Sequence, residues 1–256
     1  MKQIAIDSPA VAHGLGLFET MLVVRGAIVL LDEHLARMTR SAAALGFPEP
    51  DADAFRRDAL RVAESVNDEA ALRVIYVASA ANEWTLFAEV HAIPPLTLQR
   101  RDDARAITLD ASLTRALPAH KMTSYASCVI GLRNAVASHA NEGLFVRGED
   151  VLEGTATNLF AVTQHSLITA HANVLPGVVR AWVLDRARVL GIAVEERAPS
   201  RDEVRGGAFL TGSLTGVAAL REVDGERCET PGEIFRALSS DARALLLSRS
   251  PRDGFH

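Results

Sequence analysis

The sequence predicts a mixed α/β (α+β) fold, and three observations lead to that prediction. Short apolar runs, such as residues 71–79 and 207–213, recur along the chain and have the length of strands, and the first of these runs is rich in β-branched residues. Longer stretches, such as residues 32–47 and 175–191, repeat apolar residues at three- and four-residue spacing, which is typical of amphipathic helices. Residues 113–120 show little periodicity and interrupt the pattern, so we expect two lobes.

The N-terminal lobe is predicted over residues 1–113. It contains a hairpin at "MLVVRGAIVLL", where Arg25 and Gly26 form the turn between two β-branched runs. A helix follows over residues 32–47, in which Asp32 can cap the first turn and Gly46 ends the last. The other elements predicted in this lobe are a helix at 51–66 and strands at 71–79, 84–93 and 104–112.

A connecting segment at residues 114–120 leads to the C-terminal lobe, which is predicted over residues 121–256. Ser124 can cap a helix over residues 125–140, and Pro176 opens a second helix in the stretch 175–191. The other predicted elements are strands at 143–148, 158–164, 166–170, 192–197 and 207–213 and a closing helix at 231–248.

Composition narrows the class of protein. The 256 residues include 48% hydrophobic and 23% charged side chains, and the net charge of −5 argues against a general nucleic-acid binder. The two cysteines are too few for a disulfide framework, and neither a signal peptide nor a membrane span is evident. The HExxH, CxxC, G-x-S-x-G and P-loop motifs are absent. We therefore expect a cytoplasmic protein without a metal site and without nucleic-acid or membrane partners.

Lysine usage singles out one residue. Of the 27 Lys and Arg residues, only Lys2 and Lys121 are lysines. A guanidinium stays protonated, whereas a lysine amine can lose its proton and attack a carbonyl to form a Schiff base. Lys121 is therefore a candidate nucleophile, although an arginine-rich chain can also retain one surface lysine by chance.

Three further stretches point to one ligand. Glu153 precedes a glycine in "EGTATNLF", and "LPGVVR" and "LTGSLTG" place glycines where backbone N–H groups can bind an anion. Each has an ordinary alternative, namely a turn with a solvated acid, a helix start and a loop. Together, a Schiff-base lysine, an acid and two anion sites are the groups that pyridoxal 5′-phosphate requires.

The order of these motifs resembles that of the class IV aminotransferases, the fold-type IV pyridoxal-phosphate enzymes. Lys121 is followed by "VLEGTATNLF", "LPGVVR" and "FLTGS", and the N-terminal "GLGLFET" and "EHLARM" are similar to the opening of the same family. The resemblance covers nearly the whole chain. It implies a two-lobed fold like that of D-amino-acid aminotransferase, pyridoxal 5′-phosphate as cofactor, a small-molecule amine or amino-acid substrate, and a homodimer.

The same resemblance implies roles for individual residues. Lys121 would form the Schiff base and move the substrate's α-proton, Glu153 would pair with the pyridine nitrogen, and Arg37 would bind the phosphate. The full set of implied cofactor-binding positions is Arg37, Lys121, Tyr125, Glu153, Asn158, Val178, Val179, Gly212 and Ser213. The chain departs from the family pattern at Leu15, Val179, Gly216 and Ala219, and Val179 replaces a threonine whose hydroxyl would bind phosphate.

Smaller differences between the branches of this family indicate which substrate to expect. The stretch "FETML" lacks the arginine of branched-chain aminotransferases, and "VASAANEWTL" lacks the arginine–histidine pair of D-amino-acid aminotransferases. The short chain, Thr20 and the K-x-x-S-Y pattern at Lys121 are most similar to aminodeoxychorismate lyases. Transamination of D-amino or branched-chain amino acids is the alternative. A hydrolytic or binding protein with Ser124 or Ser213 as nucleophile is a third, but no histidine–acid pattern accompanies either serine.

Overall fold

In the computed structural model, which describes residues 3–248, the chain is divided into two units that alternate along the sequence. Of the described residues, the first unit comprises 3–93, 120–125 and 246–248, and the second comprises Pro94–Ala119 and Ala126–Leu245. Lys2 lies outside the described residues. The predicted mixed α/β fold is confirmed.

The first unit is a four-stranded antiparallel sheet with helices packed on it. Its elements are α1 (Pro9–His13), β1 (Gly16–Val24), β2 (Ala27–Ile28), α2 (Leu31–Ala44), α3 (Ala52–Ala63), β3 (Glu69–Ala80) and β4 (Glu83–His91). The strand order is β2-β1-β3-β4. Met21 and Leu72 on the sheet are fully buried with Phe55 of α3 and Met38 of α2, so the apolar faces that the sequence periodicity predicts do form this core.

The predicted hairpin turn is found in the structure, but the predicted start of the first long helix is not. Arg25 and Gly26 both have positive φ, as the two-residue turn between β1 and β2 requires. The predicted cap at Asp32 is wrong, because α2 begins one residue earlier and its N-cap is Leu30, which makes no side-chain cap bond. Asp32 instead accepts hydrogen bonds from the exposed Arg56 of α3, at 2.9 and 3.0 Å.

The second unit contains a closed ring of strands. Its elements are α4 (Pro95–Asp102), β5 (Ala104–Thr108), α5 (Ala126–Ala137), β6 (Glu142–Arg147), β7 (Asp150–Gly154), β8 (Asn158–Val162), β9 (Ser166–Ile168), α6 (Val178–Val189), β10 (Ala193–Glu195), α7 (Arg201–Arg205), β11 (Ala208–Gly212), β12 (Gly216–Val223), β13 (Glu226–Arg227) and α8 (Glu233–Ser248). The order β8-β11-β12-β5-β6-β7 closes because β7 also pairs with β8. Leu144, Leu159, Leu210 and Leu220 from four strands of this barrel share one buried cluster.

This division differs from the predicted lobes at two places. Residues 94–113 belong to the second unit, because β5 pairs in parallel with both β6 and β12. Lys121 belongs to the first unit, because residues 120–125 run along β1. The sequence patterns also do not predict the helices α1, α4 and α7 or the strands β7, β12 and β13. At α5, Tyr125 rather than Ser124 precedes the first helical residue.

Candidate active site

The backbone around Lys121 is held against the start of β1. The Phe18 N–H donates to the Lys121 carbonyl and the Thr123 N–H donates to the Gly16 carbonyl, each at 2.9 Å. Gly16 is crowded from both sides, because a Cβ there would lie 2.4 Å from Val77 Cγ1 of β3 and 3.1 Å from Thr123 Oγ1 of the lysine segment. A segment that has no regular structure of its own is thereby fixed to a sheet, and the position of the lysine is fixed with it.

The side chain of Lys121 lies among aromatic rings, in a group that we call the lysine cluster (Phe18, Arg73, Lys121 and Tyr125). Lys121 Nζ is 4.5 Å from the centroid of the Phe18 ring and 5.3 Å from that of Tyr125. The two rings meet edge to face at 5.2 Å. The structure therefore brings together two of the predicted site residues, Lys121 and Tyr125, beside a ring that can stabilise a cation but cannot accept its proton.

Arg73 completes the lysine cluster and was not predicted from the sequence. Its guanidinium carbon is 4.3 Å from the centroid of the same Phe18 ring. Within residues 3–248, the buried Arg73 Nε has no hydrogen-bond partner. Because a buried N–H donor is costly to leave unpaired, this atom is suited to an acceptor that the protein itself does not supply.

Arg37, predicted to bind phosphate, lies in a buried group that we call the Glu19 cluster (Glu19, His34 and Arg37). Arg37 Nε donates to Glu19 Oε1 at 2.9 Å and Arg37 Nη2 donates to Glu19 Oε2 at 2.5 Å. His34 Nδ1 is 2.6 Å from Glu19 Oε2. The bidentate pair fixes the planar guanidinium on β1. It leaves the phosphate role of Arg37 as a prediction.

Electrostatics set the protonation states in the Glu19 cluster. Burial alone would raise the pKa of Glu19, but the charges of Arg37 and His34 and their hydrogen bonds lower it to about 2. Burial lowers the pKa of His34 below 6.5, against the opposing effect of Glu19. At neutral pH, Glu19 is therefore a carboxylate that can only accept, and a neutral His34 must carry its proton on Nδ1.

In the second unit, Glu153 is buried, with 3% of its surface exposed. The alternative interpretation, in which this glutamate is a solvated residue of a turn, is therefore wrong. Glu153 lies in β7, and its Oε2 accepts from the Leu175 N–H at 2.9 Å and from Asn158 Nδ2 at 3.2 Å. Its Oε1 forms an ion pair with Arg115 Nη1. Arg115 was also missed, because it lies in the segment that shows no periodicity.

Asn158 links Glu153 to the start of α6. Its Nδ2 also donates to the Leu175 carbonyl at 2.8 Å, and a Cβ added to Gly177 would lie 1.9 Å from Asn158 Oδ1. Gly177 is the N-cap of α6 and makes no side-chain cap bond, and the first turn holds no acidic residue. The N–H groups of the first turn, including Val178 and Val179, have no partner within the helix and favour an anion.

The Gly212-Ser213 turn lies between β11 and β12, where Gly212 pairs with Gly216. A Cβ at Gly212 would lie 3.3 Å from the Ala156 carbonyl oxygen, so this turn packs against the turn that follows Glu153. Arg101 Nε donates to the Leu214 carbonyl at 2.8 Å and holds the turn from α4. The residues present fit pyridoxal 5′-phosphate. Within the second unit, the buried Glu153 carboxylate suits the ring nitrogen and the helix start without acidic residues suits the phosphate. Within the first unit, the amine of Lys121 suits the aldehyde.

Comparison with known proteins decides the family. The sequence profile of the family described as amino-transferase class IV matches residues 16–223. The chain belongs to the class IV aminotransferases. These enzymes depend on pyridoxal 5′-phosphate, which is therefore the cofactor of this enzyme, and the predicted family, fold type and cofactor are confirmed.

Relatives of this class IV aminotransferase span lyase and transaminase activities. A bifunctional aminodeoxychorismate lyase/D-amino acid transaminase of Mycobacterium tuberculosis is 32% identical and is covered over 92% of its length by 93% of this chain. A D-alanine aminotransferase of Bacillus licheniformis is 23% identical, with coverage of 96% of this chain and 93% of the relative. A solved structure of a hypothetical aminotransferase from Mycobacterium tuberculosis in a PLP-bound form has a TM-score of 0.85 at 29% identity, covering 98% of this chain and 95% of that one. No helix within residues 3–248 is long and apolar enough to cross a membrane.

Proposed function

We propose that this class IV aminotransferase is an aminodeoxychorismate lyase, which converts 4-amino-4-deoxychorismate to 4-aminobenzoate and pyruvate on the route to folate. The observation that carries the proposal is the 32% identity over 93% of the chain to a relative whose name includes this activity. The K-x-x-S-Y pattern and the absence of carboxylate-binding pairs typical of the transaminases support the same choice.

The residues of the first unit have distinct roles in this proposal. Lys121 Nζ would bind the aldehyde carbon of the cofactor and then carry the proton of the substrate's α-carbon. Arg73, whose Nε lacks a partner within residues 3–248, would bind a carboxylate of the substrate. A substrate that carries carboxylates, as 4-amino-4-deoxychorismate does, is suited to that arginine.

The other residues that the family resemblance implies keep their cofactor-binding roles in this proposal. When bound, pyridoxal phosphate supplies an electron sink for the negative charge that develops at the substrate's α-carbon. Glu153 would accept a hydrogen bond from the protonated ring nitrogen and keep the proton on that atom. Arg37, the N–H groups of Val178 and Val179, and the Gly212-Ser213 turn would bind the phosphate, while Tyr125 would lie near the ring hydroxyl. Asn158 would orient Glu153, to which it donates at 3.2 Å.

A direct assay tests the proposal. Purified enzyme loaded with pyridoxal phosphate is given 4-amino-4-deoxychorismate, and 4-aminobenzoate and pyruvate are measured together. We expect equal amounts of both products without any added 2-oxo acid, because the elimination consumes no second substrate. The absence of both products would exclude the lyase activity.

Transamination of D-amino acids is the second candidate, because the same Mycobacterium tuberculosis relative is also named a D-amino acid transaminase. A panel of D- and L-amino acids with 2-oxoglutarate tests it. Oxo-acid formation from D-amino acids together with lyase products would indicate a bifunctional enzyme. Oxo-acid formation without lyase products would favour a transaminase alone.

We also infer a cytoplasmic homodimer. The family resemblance supports the dimer, and α5 adds an apolar surface, because its Val129, Ile130 and Val136 are all exposed. The mass of the enzyme in solution at micromolar concentration tests the inference. A dimer mass is expected, and a monomer mass at that concentration would contradict it.

A further inference from the structure

Glu142 is the first residue of β6 and is a glutamate without solvent exposure, at 0%. Its Oε1 accepts from the Gly143 N–H at 3.0 Å, the Thr155 N–H at 2.9 Å and the Thr155 hydroxyl at 2.5 Å. Its Oε2 accepts from the Thr157 hydroxyl at 2.9 Å. All the donors except Gly143 lie in the turn between β7 and β8, so one buried carboxylate organises that turn.

The turn packs directly on this carboxylate. A Cβ added to Gly154 would lie 2.8 Å from Glu142 Cδ and 2.2 Å from Thr157 Oγ1, so no side chain fits between them. The Gly154 N–H donates to the Thr157 carbonyl at 2.8 Å and closes the turn. The two residues that flank the turn are Glu153 and Asn158, which pair across β7 and β8. A shift of the turn would therefore move the Glu153 carboxylate.

Arg100 of α4 compensates the buried charge. It is almost fully buried, and its Nε lies 3.6 Å from Glu142 Oε2. The same guanidinium donates to the Asn141 carbonyl through Nε, at 3.0 Å, and through Nη2. A buried charge is costly unless it is paired and hydrogen-bonded, and well-packed apolar residues are often at least as stable. A network that is satisfied this completely is suited to fixing one conformation rather than to adding stability.

We propose that Glu142 is a positioning residue, which fixes the turn 154–157 and thereby aims the Glu153 carboxylate at the ring nitrogen of the cofactor. The inference rests on the role proposed above for Glu153, but not on which substrate the enzyme uses. The same turn packs against Gly212 through the Ala156 carbonyl, so its position also affects the Gly212-Ser213 turn.

A double-mutant cycle between Glu142→Gln and Glu153→Gln tests this role. Glutamine keeps the shape of residue 142 but replaces one acceptor oxygen with a donor, so the turn loses part of its support. We expect kcat to fall about tenfold in Glu142→Gln, as the loss of one charge-assisted hydrogen bond would produce. The visible absorbance maximum of the bound cofactor, measured without substrate, should shift in the same direction as in Glu153→Gln. In the Glu153→Gln background, Glu142→Gln should add no further spectral shift and less than about a twofold change in kcat.

Thr169→Val is the matched control. Thr169 is as deeply buried, in the same unit, and its hydroxyl donates to the Leu159 carbonyl at 2.8 Å rather than to Glu142. It should lower the unfolding temperature to a similar extent and leave the cofactor spectrum unchanged. If Glu142→Gln does not fold, Thr157→Val replaces it as the perturbing variant, and Thr157→Ser should restore the wild-type spectrum.

The outcomes separate this inference from the proposed function. A normal spectrum and kcat in the Glu142 or Thr157 variants, beside an altered Glu153→Gln, would overturn the positioning role alone. Additive effects across the cycle, or an equal spectral shift in Thr169→Val, would also overturn it. A wild-type spectrum and kcat in Glu153→Gln would instead reject the role proposed for Glu153.

Discussion

The two units satisfy a buried glutamate in different ways. In the first, Glu19 is paired with two side chains of one helix, His34 and Arg37, which lie three residues apart on α2. In the second, Glu153 is held by a backbone N–H at Leu175, an amide at Asn158 and a guanidinium at Arg115, which come from three separate segments. The first arrangement depends on one helix and one strand, whereas the second exists only when the barrel has closed.

The two carboxylates should respond differently to mutation of their surroundings. A change in the Glu19 cluster should alter one carboxylate and its two partners. A change in the surroundings of Glu153 should propagate, because the donors also fix the start of α6 and the turn after β7.

Lys121→Arg is expected to have the largest effect of all. The guanidinium keeps the positive charge and can still lie against Phe18, but it cannot bind an aldehyde carbon. We expect kcat to fall by on the order of a thousandfold or more, since both the attachment and the proton transfer are lost. The visible absorbance of bound cofactor should disappear, while the unfolding temperature changes little. Turnover or a spectrum like that of the wild type would show that another residue attaches the cofactor.

Glu153→Gln should retain the cofactor and lose most activity, by on the order of a hundredfold, because a neutral amide cannot stabilise the protonated ring nitrogen. Steady-state kinetics and cofactor content together measure this outcome. Glu195→Gln is a suitable control, since Glu195 is also paired with an arginine in the second unit but is about half exposed. Equal losses in the two variants would mean that the position of Glu153 has no special importance.

Arg37→Ala should weaken the affinity for pyridoxal phosphate about tenfold to a hundredfold, as the loss of a charge-assisted contact to phosphate would. Added cofactor should restore much of the activity, because Lys121 is untouched. The structure adds a second expectation, that Glu19 left buried without Arg37 costs roughly 3–5 kcal/mol of stability. Glu19→Gln in the same background should recover part of that stability but not the cofactor affinity. Wild-type affinity in Arg37→Ala would show that Arg37 serves only Glu19.

Acid should destabilise the first unit through the Glu19 cluster. A pKa lowered from 4.5 to about 2 means that Glu19 stabilises the fold above pH 4.5 and loses this effect as the pH falls towards 2. The contribution at neutral pH is about 3 kcal/mol. His34 acts in the same direction from pH 6.5 downwards, because its pKa is also lowered on folding and the unfolded chain binds the proton first. Unfolding curves of wild type and Glu19→Gln across this range measure the difference.

Added salt should distinguish the buried Glu19 from a more exposed glutamate whose pKa is lowered to a similar extent. Glu203 also has a pKa lowered to about 2, mainly by its hydrogen bonds with Arg197, but Arg197 is about half exposed. Added salt should screen the contribution of Glu203 and leave that of Glu19. An equal salt dependence in Glu203→Gln and Glu19→Gln would show that Glu19 is accessible to water.

Arg56→Ala should have the smallest effect. It should lower the free energy of unfolding by less than about 1 kcal/mol, because the ion pair of Arg56 with Asp32 is exposed. It links α2 to α3 just as Arg37 links α2 to β1, and differs chiefly in burial. Chemical denaturation of the two alanine variants compares them directly. A loss as large as that in Arg37→Ala would contradict the explanation by burial.

The sequence predicts features that depend on residues close in the chain, and it does not predict features that depend on distant partners. Periodicity located α2 and α6, and motifs singled out Lys121, Arg37 and Glu153, whose roles stay predictions, because all these features involve residues close in the chain. Arg115 and Arg73 were missed, since an aperiodic segment and a single polar residue in a strand contain no sign of their partners. Glu142 could not be predicted, because its role depends on the closure of β7 onto β8. The boundary at 113 was displaced by β5, whose strand partners lie far away in sequence.

The barrel of the second unit also has a consequence for folding. β5 pairs with β12 at Ala104 and Leu220, which are 116 positions apart (220 − 104). The four-stranded sheet of the first unit uses only residues between 16 and 91, so it can form soon after that part of the chain has been synthesised. The barrel must wait for β12, and loops this long close slowly. We expect a refolding intermediate in which the first sheet is protected from hydrogen exchange while the edges of β5 and β6 are still unpaired, and this is the stage at which the chain is most exposed to aggregation.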